Sequence, residues 1–265
     1  MERRTFFKAS LAASALAMAE SPALRAATAP SGARDYYELR AYRLKSGSSA
    51  DLLHGYLEKT LIPALNERSL KPVGVFEELE PKEGPTVWVL IPHSSLESIV
   101  EANTAINADA GTQKSAGDYF AKTTKDHPAF DRVDSWLYLA FSGMPRLELP
   151  ELSRKKVDRV MELRTYESSN EERALKKVAM FNAGEIEAMH EVQLGPVFFG
   201  QGILGSGLPH LTYMLSGADR AAHAEHWKGF QNHPVWMKLK ADPIYAETVS
   251  KVISRFLTPT AYSQI

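Results

Sequence analysis

A repeated Glu-x-Arg-x-Tyr pattern, eight histidines and no cysteine set the chemistry open to this chain of 265 residues. Glu38, Arg40 and Tyr42 recur as Glu162, Arg164 and Tyr166, 124 positions later. Their contexts are Tyr37-Glu38-Leu39-Arg40-Ala41-Tyr42 and Met161-Glu162-Leu163-Arg164-Thr165-Tyr166. Spaced by two, each trio shares one face of a strand, opposite Leu39 and Ala41 or Leu163 and Thr165. A Glu–Arg pair taken out of water must be hydrogen-bonded; it then either meets a polar ligand or sets the register of a sheet. His210 opens a run in which it shares a face with Thr212 and Met214. If that face is inward, it joins Arg164 and Tyr166, where a neutral imidazole suits a general base or a satisfied core histidine. Glu38, Arg40, Tyr42, Glu162, Arg164, Tyr166 and His210 are therefore the candidate ligand-binding residues. His223 and His226 stand one helical turn apart, a spacing that can chelate a metal, with Asp219 the one local helper. The HExxH order is absent, so an exposed polar helix face is the preferred reading and no metal site is assigned.

Other chemistries drop out on composition. Without cysteine there is no disulfide, no thiol nucleophile and no cysteine-ligated cluster. Lys and Arg number 31 against 32 Asp and Glu, so no basic face is expected for nucleic acid. Gly200-Gln201-Gly202-Ile203-Leu204-Gly205-Ser206-Gly207 lacks GxGxxG order and precedes a strand; it reads as a hairpin loop, not a phosphate cradle. Neither a Walker motif nor a Gly-x-Ser-x-Gly elbow occurs. His190, beside Glu187 and Glu191, reads as a helix C-cap. His233-Pro234-Val235-Trp236 reads as a helix start with Asn232 or His233 as cap.

Two copies of one element order position these residues. In the first, a strand over 35–43 precedes a helix carrying Leu52, Leu53, Tyr56, Leu57, Leu61 and Leu65, capped by Ser48 or Ser49. Strands follow at Pro72–Leu79 and Thr86–Ile91, then a helix from Ser94 or Ser95 to about Ile106, more helix near 113–122, and a strand at Ser135–Phe141. The second copy runs strand 160–167, helix from Ser168 or Ser169 to about His190, strands 196–203 and 209–215, helices about 218–230 and 234–240, and a strand near 249–257. The order β-α-β-β-α-β, met twice, is the ferredoxin-like unit, an α+β fold class. The small apolar set of each first strand suits the helix-covered face. The Glu-Arg-Tyr set then faces the second side, which is the interior if two such sheets close face to face. The expected organisation is 34–143, a Pro-containing linker at 144–157, and 158–265.

Residues 1–29 are of another kind. Arg3-Arg4, then Phe6-Phe7-Lys8 and an Ala-rich run, resemble a twin-arginine export signal, with Glu2 where Ser or Thr is usual. Cleavage is expected after Ala19 or Ala29; the run is too short and weakly apolar for a stable membrane span. The expected location is periplasmic. Loss of residues 1–29 leaves 27 basic and 30 acidic residues, a net charge of −3.

Val160-Met161-Glu162-Leu163-Arg164-Thr165-Tyr166 with the long helix after it, His226-Trp227-Lys228-Gly229-Phe230, His233-Pro234-Val235-Trp236 and the closing Leu257-Thr258-Pro259-Thr260 resemble the NIPSNAP family over about 158–265. The first copy is more divergent; it keeps Glu38-Leu39-Arg40-Ala41-Tyr42 but has no close counterpart of His233-Pro234-Val235-Trp236, with Asp118-Tyr119-Phe120 the candidate for its place. The resemblance implies a dimeric α+β barrel, which two tandem copies could close within one chain as a pseudo-dimer, alone or in a homo-oligomer. It implies no particular reaction or cofactor. The functional expectation is a barrel cavity for a small hydrophobic or aromatic molecule. The alternatives are a packed, non-enzymatic interaction protein, and a cofactor-independent monooxygenase-like or haem-binding barrel.

Overall fold

The two copies of the Glu-x-Arg-x-Tyr segment occupy equivalent places in one barrel. The computed structural model describes residues 33–44 and 50–265; the export reading of residues 1–29 and the Ser48 or Ser49 cap lie outside those residues. The strands are β1 (Tyr36–Arg43), β2 (Gly74–Glu78), β3 (Thr86–His93), β4 (Arg132–Ala140), β5 (Val160–Glu167), β6 (Pro196–Leu204), β7 (His210–Gly217) and β8 (Lys251–Pro259). They close in the order β1-β3-β2-β8-β5-β7-β6-β4, all neighbours antiparallel. Each half has the ferredoxin-like order, β4-β1-β3-β2 and β8-β5-β7-β6, and the seams β2–β8 and β4–β6 join the halves. Closure pairs the strand edges that either half would otherwise expose.

Inside the barrel stand Tyr37, Leu39, Ala41, Phe76, Leu90, Met161, Leu163, Phe198, Met214 and Leu257, drawn from seven of the strands and packed with Tyr138 from β4. Outside, helices cover each half. Leu53, Leu57, Ala102 and Ile106 pack on Tyr42, Val75, Val87, Val89 and Ile91. Phe181, Ile186, Met189 and Phe230 pack on Tyr166, Phe199, Leu211, Tyr213 and Leu215. Leu39 and Ala41 thus fill the barrel, and Glu38, Arg40 and Tyr42 lie under the helices, the reverse of the sequence expectation; Leu163 against Glu162, Arg164 and Tyr166 repeats the reversal. β1 and β5 are covered on both faces, so alternation separates their two faces without saying which is inner. A small barrel lumen is filled by side chains and offers a charge no partner, whereas the helices supply polar ones.

Local chemistry places the helices. Ser95 caps Leu96–Ala108 by accepting from the Ser98 amide, and Asp219 caps Arg220–Gln231 by accepting from the Ala222 amide. Asn170, not Ser168 or Ser169, caps Glu171–Met180; the Ser168 hydroxyl donates instead to the Thr248 carbonyl. The single helix expected up to His190 is interrupted by a π-helical turn, Phe181–Glu185, in which Gly184 has φ 124°. A side chain is strained at that φ, and a Cβ there would meet Val235 Cγ1 at 2.9 Å.

One end of the barrel is shut. Ile265 is fully buried in the interior cluster, with Leu147 and Leu149 of the expected linker packed against the same cluster. Gln264 bonds the backbone of Val73 through both its own amide and its side chain. Part of the expected linker is itself helical, Glu151–Lys155. The opposite end, where β1 and β5 finish and β7 and β8 begin, stays open.

Candidate functional site

At the open end lies a cleft of about 160 Å³, floored by Leu39 and Leu163 and walled by Trp88, Trp136, Tyr138, Thr165, His210, Ile253 and Arg255. Trp88 and Trp136 stack with centroids 6.0 Å apart. Trp136 donates its indole N–H to the Ser206 carbonyl at 3.1 Å. Gly205, at φ 123°, lies over the Trp136 ring so closely that any Cβ would overlap it. Of the glycines read as a hairpin loop, Gly200 and Gly202 lie within β6, and Gly205 and Gly207 join β6 to β7 and bring loop backbone over the aromatic wall. Gly202 leaves the room that His210 needs: a Cβ there would stand 3.0 Å from Nε2.

His210 is buried, as is Thr212. Its Nδ1 sits 3.0 Å from the Gly207 carbonyl, which only accepts, so Nδ1 carries the proton. Nε2 is then an acceptor, 3.3 Å from the Tyr138 hydroxyl. The Thr212 hydroxyl donates to Tyr138 at 3.2 Å, and Thr165 and Thr212 are 2.8 Å apart through their hydroxyls. Burial lowers the His210 pKa; the Gly207 contact and the Glu167 charge pull the other way. His210 is therefore disposed to be neutral. Above it, Arg43 is paired with Asp134 at 3.0 Å and Glu83 at 3.4 Å. Arg255 lies 3.7 Å from Glu78 and 5.5 Å from the Trp88 ring, with no hydrogen bond from its guanidinium among the described residues.

Beneath the helices lies the other polar cluster, built twice. Glu162 is buried and takes four donors: Arg164 Nη1 and Ser254 Oγ at 2.6 Å on Oε1, His223 Nε2 at 2.8 Å and Trp227 Nε1 at 2.7 Å on Oε2. Burial alone would raise its pKa; the His223 hydrogen bond, the Arg164 charge and the Ser254 hydrogen bond outweigh that and hold it at about 2. Arg164 stacks on Trp227 at 4.7 Å and reaches Tyr166, which shares a 2.7 Å hydrogen bond with Tyr213. Glu38 repeats the plan. Arg40 grips both its oxygens at 2.8 and 2.9 Å, with Ser135, Asn103 and His93 at 3.3, 3.4 and 3.5 Å. Against burial, His93 and Arg40 hold the Glu38 pKa at about 2. Every donor on Glu162 comes from the protein. The cluster ties sheet to helix and leaves no acceptor free for a ligand.

The expected site thus divides. His210 faces the barrel interior, while Glu38, Arg40, Tyr42, Glu162, Arg164 and Tyr166 lie on the helix side and join it in no cavity. His223 is buried, not on the exposed polar face expected of it, because it spends Nε2 on Glu162; no group of three His, Asp or Glu suited to a metal occurs among the described residues. Sequence reasoning passed over Trp88, Trp136, Tyr138, Thr165 and Arg255. Tyr138 and Trp136 alternate along the last strand of the first half, a period-2 aromatic pair that could have marked a lumen wall.

Eight strands closed from two ferredoxin-like sheets, with helices outside, define a dimeric α+β barrel completed within one chain. Its second half, residues 161–264, matches the NIPSNAP family model. The chain is similar to a structure from Lactobacillus acidophilus described as a candidate monooxygenase, at 10% identity over 85% of this chain and 94% of that one, TM-score 0.57. A second structure so described, from Fusobacterium nucleatum, has 7% identity over 86% and 93%, TM-score 0.53. A NIPSNAP family protein from Agrobacterium tumefaciens aligns with 40% of this chain and 90% of its own, at 16% identity and TM-score 0.36. At such identities the likeness is one of fold. No curated protein matches the sequence. Among the described residues no helix is long and apolar enough to cross a membrane.

Proposed function

We propose that this NIPSNAP-domain protein binds a small aromatic molecule in the cleft at the open end of its barrel. One observation carries the reading: one end of the lumen is plugged by Ile265, Leu147 and Leu149, and the other opens beside a pair of stacked indoles over an apolar floor. A pocket with mostly apolar walls and a few convergent polar groups is the usual form of a small-molecule site. About 160 Å³ is the size of a cavity that accepts a single benzene ring. The reading that the barrel is simply packed is supported over its plugged half alone. A haem has no comparable support: His210 Nε2 is held by Tyr138, and the cleft admits one ring, not a macrocycle. In a fluorescence titration, phenol-sized aromatics give a saturable change in tryptophan emission. Trp136→Leu weakens the affinity about 2- to 10-fold, the range of one aromatic contact. No saturable change up to millimolar ligand would overturn the reading.

Two organisational readings go with it. The first half is a diverged copy of the NIPSNAP domain. In support, Glu38 and Glu162, Arg40 and Arg164, and Asn103 and Trp227 are each separated by the same 124 positions and play matching parts in the two clusters. The chain is exported to the periplasm by residues 1–29, on the strength of Arg3-Arg4 and the Ala-rich run. Fractionation of cells expressing the full chain then finds it in the periplasm, and R3K/R4K retains it in the cytoplasm; equal distribution of the two would remove the export reading.

A further inference from the structure

We infer that the ligand of the cleft carries an ionisable hydroxyl and is bound as its anion, its proton passing along a hydroxyl relay to His210. This deepens the ligand-binding reading and rests on it. Each hydrogen bond of the chain Thr165–Thr212–Tyr138–His210 has a direction that is forced from its inner end. The Gly207 carbonyl can only accept, so it takes Nδ1–H and leaves Nε2 as a bare acceptor. Tyr138, 3.3 Å away, must then point its proton at Nε2. With that proton spent, the Tyr138 oxygen accepts from Thr212 at 3.2 Å. Thr212 has no second proton to give, so across the 2.8 Å contact it is Thr165 that donates. Every hydroxyl along the line is committed inward, and the cleft end of the relay, Thr165 Oγ1, presents lone pairs alone. A group that satisfies Thr165 from the cleft must be a donor.

The same arrangement can move that donor's proton without leaving any member of the relay altered. The ligand O–H bond breaks as its proton joins Thr165. Thr165 gives its own proton to Thr212, Thr212 gives to Tyr138, and Tyr138 gives to Nε2. Each hydroxyl gains one proton and loses one; the ligand ends as an oxyanion and His210 as an imidazolium. The charged groups around both ends suit that outcome. Glu167 on β5 faces His210 and favours the imidazolium, and it is itself held by Lys251 at 3.2 Å. Arg255 on β8 lies at the cleft wall beside Trp88, and its charge acts on Tyr138. Arg43, also at the wall, is occupied by Asp134 and Glu83. Arg255 is paired with Glu78 through Nε at 3.7 Å, and among the described residues no hydrogen bond occupies its Nη groups, which can pair with the oxyanion. Tyr138 keeps its proton in the resting state, because burial pushes its pKa well up. A single ring against the indole wall, with one acidic hydroxyl toward Thr165, meets all of these constraints.

The probe is 4-nitrophenol, whose anion is yellow, added to the full folded barrel at a pH below its own ionisation midpoint. Tryptophan emission reports binding and visible absorbance reports ionisation. Wild type is expected to quench and to raise the ionised fraction of bound probe at least tenfold over free probe. In a weakly buffered solution no proton should be released, because His210 keeps it. Thr165→Val preserves the shape of the side chain and cuts the relay at its cleft end. It should bind the probe more weakly, reaching its quench only at higher probe concentration, with the ionised fraction at saturation falling to that of free probe; circular dichroism checks that it folds. Quenching with probe that stays neutral overturns the relay alone. Equal ionisation in T165V, or release of one proton per site to solvent, also overturns it. Absence of quenching overturns the cleft as a ligand site, and the relay with it.

Discussion

Glu162→Gln is expected to lower the stability of the fold by about 3–5 kcal/mol, the cost of taking one partner from a buried ionic cluster. Both carboxylate oxygens face donors only: Arg164 and Ser254 on one, His223 and Trp227 on the other. An amide in the same volume must turn its NH₂ toward one of those pairs, so a clash of donors joins the loss of charge. For a domain of this size each kcal/mol moves the melting temperature by about 2–4 °C, so a fall of about 6–20 °C is expected. The effect depends on pH in a definite sense. The folded-state pKa of Glu162 is about 2, below its ordinary 4.5. Its stabilisation is therefore complete above pH 4.5 and is lost as pH falls from 4.5 toward 2. The gap between wild type and E162Q in urea unfolding should be widest near neutrality and should narrow across that interval. Glu38 follows the same rule with the same sign. A gap under 1 kcal/mol at neutral pH would mean that the cluster does not tie sheet to helix.

The second large effect belongs to Lys177 and Glu185, a buried pair 2.8 Å apart beneath Phe181 and Trp236. Lys177→Met leaves Glu185, which is 1% exposed, with no cation. A cost of about 3–5 kcal/mol follows at neutral pH. Burial already pushes the Glu185 pKa above its ordinary 4.5 against the pull of Lys177, and removing Lys177 pushes it further. A carboxyl whose folded pKa is raised binds its proton more tightly in the folded state, so destabilisation grows as pH rises through the ordinary range. K177M should therefore lose more at pH 8 than at pH 5. The double variant K177M/E185L removes both charges from an apolar site. It should recover the loss and equal or exceed wild type by about 1–4 kcal/mol. A thermodynamic cycle over the four proteins checks this; a double variant as unstable as K177M would show that the pair is needed for something besides compensating itself.

The first prediction turns on residues that the sequence located without assigning their surroundings; the second turns on residues it did not single out. Glu162 and Arg164 were legible as a repeated pair because strand alternation and the recurrence of Glu38 and Arg40 survive in one dimension. Their side of the sheet was not legible. In a barrel wrapped by helices each strand is buried twice, and Leu39 or Glu38 satisfies the period equally well whichever way it points. Nothing in the spacing of Lys177 and Glu185 marks them as a pair. Only the π-helical turn at Phe181–Glu185 brings them together.

The sequence alone determined the element types, their repetition and the fold class, since period-2 and helical spacing, caps and turns are local properties of the chain. It also placed His210 on a face with Thr212 and Met214. Tertiary structure alone decided which face became the lumen, and which end of that lumen was plugged by Ile265, Leu147 and Leu149. It also made His210 the end of a relay that starts at Thr165 on β5 and passes through Tyr138 on β4. Those contacts join residues 47 and 72 positions apart. Register and closure bring them together, and neither is written in the spacing of any one strand.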